Sequence, residues 1–454
     1  MTRMHEVVER VLALSRADDC IVIATHSSSA NLRWANNTST TNGAGVTHSL
    51  VVISIIGRRV GTAARTFFPD DLLEDVVRES EAACTAAPEA HDYFSLVDAP
   101  SPGEWTDPAP EAGIEVLAGA VPGLAAVFAR ADSEDRRTFG FAEHDMSTIW
   151  VAASNGMRRR YTERRGKIEM TAKSADLERS AWTGHATTAF DNVDANAMYE
   201  RLRKRLEWSA RAQSLPAGRY EVLLEPSGAA DIALEAYFYS GARDADEGRS
   251  VYAKPGGGNR IGERLYPTNV GYYSDPAEPG LETLPFVVAM ASRDSQSLFD
   301  NGLAISRTDW AKDGVLHALP STRSWAARAG AAEVRPFVSN LVMTGDGPDL
   351  DDMIARTRSG LLVTCLWYIR VVDPQTLLLT GLTRDGVFLI EDGEVRAAVN
   401  NFRFNMSPLD TLAQTTEVGR SQFALPREND EFLLTKAPPL RIADFNMSSV
   451  SEAT

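Results

Sequence analysis

The stretch 218–241 constrains this chain more than any other. Its spacing predicts a short buried strand over 220–224, a sharp turn at Pro226, Ser227 and Gly228, and a helix of about three turns that ends at Gly241. A strand feeding a helix in this way is a familiar zinc platform, because two His side chains about one turn apart can meet one ion while a nearby Glu handles its water. No His lies between His185 and His317. The helix and its preceding turn offer carboxylates instead: Glu225, Asp231 and Glu235. Asp231 and Glu235 stand four apart and share a helix face, which would suit an oxygen-ligand pair for Mg²⁺ or Ca²⁺. An ordinary solvated face is the preferred reading, since paired acids are common on helix surfaces.

At 454 residues the chain is too long for one compact core. We expect an α+β fold in two parts: an N-terminal α/β sandwich-like domain over 1–213, and a mainly β domain with a few helices over 214–454, after the break at Leu215, Pro216, Ala217 and Gly218. The net charge of −16 argues against sequence-independent nucleic-acid binding, which needs a positive surface, and suits a basic substrate or partner face. No apolar run approaches the ~20 residues of a membrane span. The charged N-terminus does not read as a signal peptide. Cys20, Cys84 and Cys365 lie far apart with no paired spacing, so neither a disulfide framework nor a zinc ribbon is expected, and a cytoplasmic setting is the simplest.

Along the first half, helices are predicted over 7–14 and 70–86, strands over 20–24, 32–37, 49–56 and 60–66, and a helix over 112–130 interrupted at Pro122 and Gly123. A Pro-rich loop covers 99–110. Asn155 and Gly156 mark a hairpin between strands 147–153 and 158–172, and a long charged helix spans 194–212. In the second half, 248–276 is irregular. Strands are expected over 286–291, 303–308, 314–319, 361–368, 387–391 and 394–399, with a helix near Ser324 and another over 351–357 capped by Asp349.

Several smaller features have plain readings. Gly256, Gly257 and Gly258, between Lys254 and Arg260, could form an anion nest, but the loop lacks the closing Lys and Ser or Thr of a P-loop. His26 reads as a loop residue beside capping serines. The histidines of the first half show no ligand spacing. The basic run 157–165 reads as an exposed strand face or a partner contact, and Cys365 as an inert core thiol.

Taken together, 218–241, Gly248–Arg249–Ser250, 298–302 and 381–393 resemble the TldD/PmbA family of metallopeptidases. Catalytic TldD subunits of that family carry an HExxxH motif on this helix and a Cys ligand near the C-terminus; the paired TldE (PmbA) subunits lack both. This chain has no Cys in 419–440, so the resemblance is to TldE. It implies a non-catalytic subunit with no metal or cofactor of its own, zinc in a TldD-like partner, and an unfolded peptide as substrate. It also implies a groove for substrate or partner that draws on Glu225, Asp231, Glu235, Gly256, Gly257, Gly258, Arg384 and Asp385. A stand-alone homodimeric peptide-binding protein, or a metal-independent enzyme using carboxylates of the same cleft, is the alternative. One departure stands out: Phe299, Asp300, Asn301 and Gly302 are one residue shorter than the family's usual pattern and lack its Glu, which counts against an acid role there.

Overall fold

The computed structural model describes residues 3–66, 68–98, 104–429, 431–432 and 434–451, so part of the predicted Pro-rich loop lies outside the described residues. Two long antiparallel strands, β1 (Asp19–Ala35) and β2 (Thr38–Ile56), meet at Asn36 and Asn37. Both turn residues have positive φ, 50° and 59°, which Asn tolerates better than most residues and which matches the strand twist of a tight hairpin. The strands expected over 20–24, 32–37 and 49–56 are parts of this one hairpin. Its polar middle still pairs, because β1 is flanked along its length by β2 on one side and β4 on the other.

With β3 (Arg59–Arg65), β4 (Arg137–Ala153), β5 (Arg158–Lys173) and β6 (Ser180–Thr187) these strands form a six-stranded sheet in the order β3-β2-β1-β4-β5-β6. Strand side chains alternate between faces. Cys20, Val22 and Ala24 of β1 meet α1 (Met4–Leu14) and α2 (Leu73–Ala86), while Ala30 and Trp34 meet α3 (Val121–Ser133) and α4 (Ala195–Trp208). All four helices therefore share one face. Ile21 and Ile23 point the other way, onto Phe286, Leu298 and Phe299. Pro122 sits in the first turn of α3 rather than interrupting a longer helix, where its missing N–H costs nothing.

The rest of the chain begins with β7 (Ala212–Gln213), β8 (Gly218–Leu224), α5 (Pro226–Phe238) and α6 (Ala242–Asp246). There follow β9 (Tyr272–Ser274), β10 (Thr308–Lys312), β11 (Val315–Leu316), α7 (Arg323–Ala329), β12 (Leu341–Met343) and α8 (Leu350–Ala355). Next come β13 (Ser359–Val363), β14 (Leu366–Asp373), β15 (Leu378–Thr383), β16 (Val387–Glu391), β17 (Glu394–Val399) and β18 (Phe402–Met406). The chain closes with α9 (Pro408–Ala413), β19 (Thr415–Val418), β20 (Gln422–Ala424), β21 (Thr435–Ala437) and β22 (Leu440–Val450). One sheet has ten strands, with β8 between β22 and β13; a second has the order β11-β10-β9-β12-β21-β20. The chain is thus α+β with a strand-rich C-terminal region.

No strand covers 286–291 or 303–307, and β10 starts only at Thr308. Phe286 and Ala304 form an isolated bridge, and the buried Asn301 side chain takes over the ladder by accepting from Ala289 N (2.7 Å) and donating to Ala289 O (2.8 Å). At the centre of this half, α5 is apolar nearly all round and buried along most of its length, as a helix enclosed on every side should be. Its core residues pack with Leu361 and Phe404 of the ten-stranded sheet and with Tyr272 and Trp310 of the other.

Candidate functional site

Two adjustments to the predicted strand–turn–helix set the geometry. No separate turn precedes α5: Glu225 is its N-cap and Pro226 its first residue, a position where Pro's fixed φ already suits a helix. The helix ends at Phe238, before Gly241.

Ser227, Asp231 and Glu235 stand one turn apart on α5, and the structure brings all three against the late segment 425–429. Ser227 Oγ donates to Leu425 O at 2.7 Å. The Asp231 carboxylate accepts from three consecutive backbone N–H groups, those of Arg427 (3.0 Å), Glu428 (3.2 Å) and Asn429 (3.1 Å). Asn429 Nδ2 reaches Glu235 Oε1 at 3.3 Å. Asp231 is fully buried and Glu235 nearly so, which corrects the expected solvated face. The late segment lies across that face and shields it from water. Burial pushes the pKa of Asp231 up to about 8, against the pull of its N–H donors, and burial also raises that of Glu235.

The same segment clasps the two halves of the chain together. Arg427 is sandwiched between Trp182 of β6 and Trp367 of β14, 4.6 and 4.5 Å from the ring centres, and pairs with Glu169 of β5 at 2.5 Å. Trp182 Nε1 donates to the same carboxylate at 3.0 Å. Asp385, with positive φ just before β16, accepts from Ser180 Oγ of β6 at 2.8 Å, and Arg384 lies over the Trp367 ring. Both therefore sit at the seam between the halves. Cys365, between β13 and β14, is buried; its thiol donates to Arg384 O and is pushed up to about 12 by burial, so it is unreactive at neutral pH.

Glu225 faces the opposite way. Both its oxygens accept from Arg205 Nη2, at 2.7 and 2.6 Å, and Arg205 Nη1 donates to Trp182 O. This pair forms part of the wall of a cleft of about 720 Å³ bounded by β6, α4, the start of α5, α8 and residues 422–425.

The glycine loop stays apart. Gly256, Gly257 and Gly258 have φ of 92°, 113° and 79° and are exposed. The loop closes on itself through Lys254 N to Gly258 O and Gly257 N to Lys254 O, while Lys254 and Arg260 both pair with Glu263. Its cations and part of its N–H set are already bound, so it does not fit an anion nest. No hydrogen bond or ion pair joins it to the acids of α5 among the described residues.

Two readings from the first half change. His26 is not in a loop: it lies mid-strand, buried, opposite His48, with Nδ1 3.0 Å from His48 Nε2 and Nε2 3.2 Å from Glu111 Oε1. Burial holds its pKa down. The pair was invisible as spacing because only the strand register brings positions 26 and 48 together. The basic run is mostly half-buried and partly tied down within the chain: Arg158 pairs with Glu9, Arg159 donates to Gly302 O, and Arg160 to Pro108 O, while Arg164 is exposed. Asp300 is held by Arg323 at 2.8 Å.

Residues 217–449 match the family model described as the PmbA/TldA metallopeptidase C-terminal domain. Over half the chain lies within that match, and the sequence belongs to a metallopeptidase family. That family is PmbA/TldD. The fold agrees across nearly the full length. TldE from Thermococcus kodakarensis is 15% identical with a TM-score of 0.76, covering 98% of this chain and 99% of that one. A protein from Thermotoga maritima described as a candidate modulator of a DNA gyrase is 14% identical with a TM-score of 0.74, covering 97% and 99%. A similarly described protein from Bacteroides thetaiotaomicron is 16% identical with a TM-score of 0.73, covering 98% of each. A comparison with the curated proteins finds no match.

The family implies zinc, and the donors around α5 do not fit it. Glu225 is held by Arg205, Asp231 is saturated by backbone N–H groups, and the nearby Cys365 is a protonated thiol. Among the described residues no group of three or more His, Cys, Asp or Glu side chains could hold a metal ion.

Proposed function

We propose that this chain is a non-catalytic, TldE-like subunit that pairs with a TldD-like zinc subunit in a peptidase acting on unfolded peptides, by leader-peptide removal or general proteolysis. The partner supplies the His ligands, the Glu base, the Cys and the zinc. This chain supplies chamber walls, peptide contacts and stability, from a cytoplasmic setting and with a domain division near 213–214. The observation that carries the reading is the Asp231 cradle. In catalytic members of the family the helix and the late segment each supply ligands to one metal; here the same two elements are joined by a carboxylate and three N–H groups.

The metal-independent enzyme is disfavoured by the same observation. Asp231 and Glu235 have raised pKa values, as a general acid needs, but the late segment covers them and occupies the Asp231 oxygens. Co-expression with a TldD-like chain tests the proposal: a stable complex should cleave unfolded peptide while each chain alone does not. Failure to form a complex, or cleavage by this chain alone, would overturn it.

A further inference from the structure

Four basic residues of α4 line the cleft beside Glu225. Three have acid partners: Arg203 pairs with Glu200 and Glu207, Lys204 with Asp351, and Arg205 with Glu225. Arg201 has none among the described residues. It donates to Thr183 Oγ1 at 3.2 Å and remains open to water inside the cleft. Its surroundings and the charge of Arg205 work against its cationic form while Glu225 and Asp351 favour it, and among the described residues no carboxylate stands within ion-pair distance, which leaves that place to an anion from outside. His185, on the same wall, is kept neutral by burial and by Arg201 and has a ring N–H to offer. Trp208, Leu350 and Leu425 make the cleft partly apolar.

Resting on the peptide-handling reading above, we infer that this cleft binds the carboxylate of an extended peptide, with Arg201 as the anchoring cation. Guanidinium and carboxylate match as a bidentate pair, and an apolar wall suits the adjoining side chain. The net charge of −16 does not forbid this. Beyond a Debye length of about 8 Å the distant acids are screened, and the acids of the cleft wall are already engaged, Glu225 by Arg205, Asp351 by Lys204, Glu200 by Arg203 and Asp349 by the Asp352 N–H. The carboxylate can belong to a peptide C-terminus or to an Asp or Glu side chain.

The test uses the full chain and three labelled Gly/Ser peptides: one with a free C-terminal carboxylate, one with a C-terminal amide, and one amide with a single internal Asp. The free acid, the Asp-bearing amide or both should bind at least about tenfold tighter than the plain amide. Arg201→Met should erase that difference and Arg201→Lys should keep part of it. A preference for the free acid alone identifies the C-terminus, and a preference for both admits side chains. Equal affinity for all three peptides, a preference that survives Arg201→Met, or competition by inorganic phosphate without peptide binding would overturn the inference. The comparison of peptides on the unmodified chain decides the matter even if a variant fails to fold. Carboxylate binding by a chain that never forms an active pair would sink the subunit proposal alone; an active pair indifferent to the carboxylate would sink this one alone.

Discussion

The start and the middle of α5 carry the same kind of residue and do opposite things. At its start Glu225 meets a guanidinium at the wall of a cleft. One and a half turns on, Asp231 meets three backbone N–H groups in a dry interior. The difference lies in what each carboxylate faces. A side-chain partner at an open wall leaves room for a ligand beside it, whereas a backbone cradle fixes a loop and fills the space. The late segment thus closes over the middle of α5 at Asp231, while beside its start at Glu225 a cleft stays open.

The comparison breaks first at Asp231. Asp231→Ala should strand buried donors and cost more than about 3 kcal/mol, at roughly 1–3 kcal/mol for each unsatisfied group. Urea unfolding would read it, and proteolysis should find segment 425–429 released. A loss near zero would mean that the cradle does not hold the loop. Glu225→Gln should cost less, about 2 kcal/mol, because the amide keeps one acceptor for the buried Arg205. Ser227→Ala, which removes a single hydrogen bond to Leu425, should cost about 1 kcal/mol.

The pH dependence sharpens the same contrast. Asp231 holds its proton in the folded chain up to about pH 8, whereas the unfolded chain releases it near pH 4. Its contribution to stability is full below about 4 and falls as pH rises toward 8. Asp231→Asn should flatten that slope in melting temperatures taken across the range. His26 works in the other direction, because burial lowers its pKa. Its contribution is full above the ordinary value near 6.5 and is lost as pH falls. His26→Gln should remove a smaller slope on the acid side.

The strand–helix unit at 218–238 was legible because an apolar run, Pro226 and the absence of His all lie within one short window. The carboxylate cradle was not, since its partners are backbone groups nearly two hundred positions away and backbone groups carry no sequence signal. A signal did exist in the spacing of Ser227, Asp231 and Glu235, polar residues one turn apart on an otherwise apolar helix. A polar row on a buried helix needs a partner. The long hairpin of β1 and β2 was missed for a related reason: residues 38–48 are polar and largely exposed, so alternation gave no pattern, while Asn36 and Asn37 carried the turn. The cleft at Arg201 depends on which charges find partners, and only three-dimensional pairing settles that.

The central claim is that the zinc chemistry of this family is borrowed here from a partner. Metal analysis of the purified full chain after equilibration with zinc, alongside the co-purified pair, tests it most directly. The account predicts zinc and chelator-sensitive peptide cleavage in the pair, and neither in this chain by itself. Stoichiometric zinc retained by the isolated chain, with cleavage that a chelator abolishes, would contradict it.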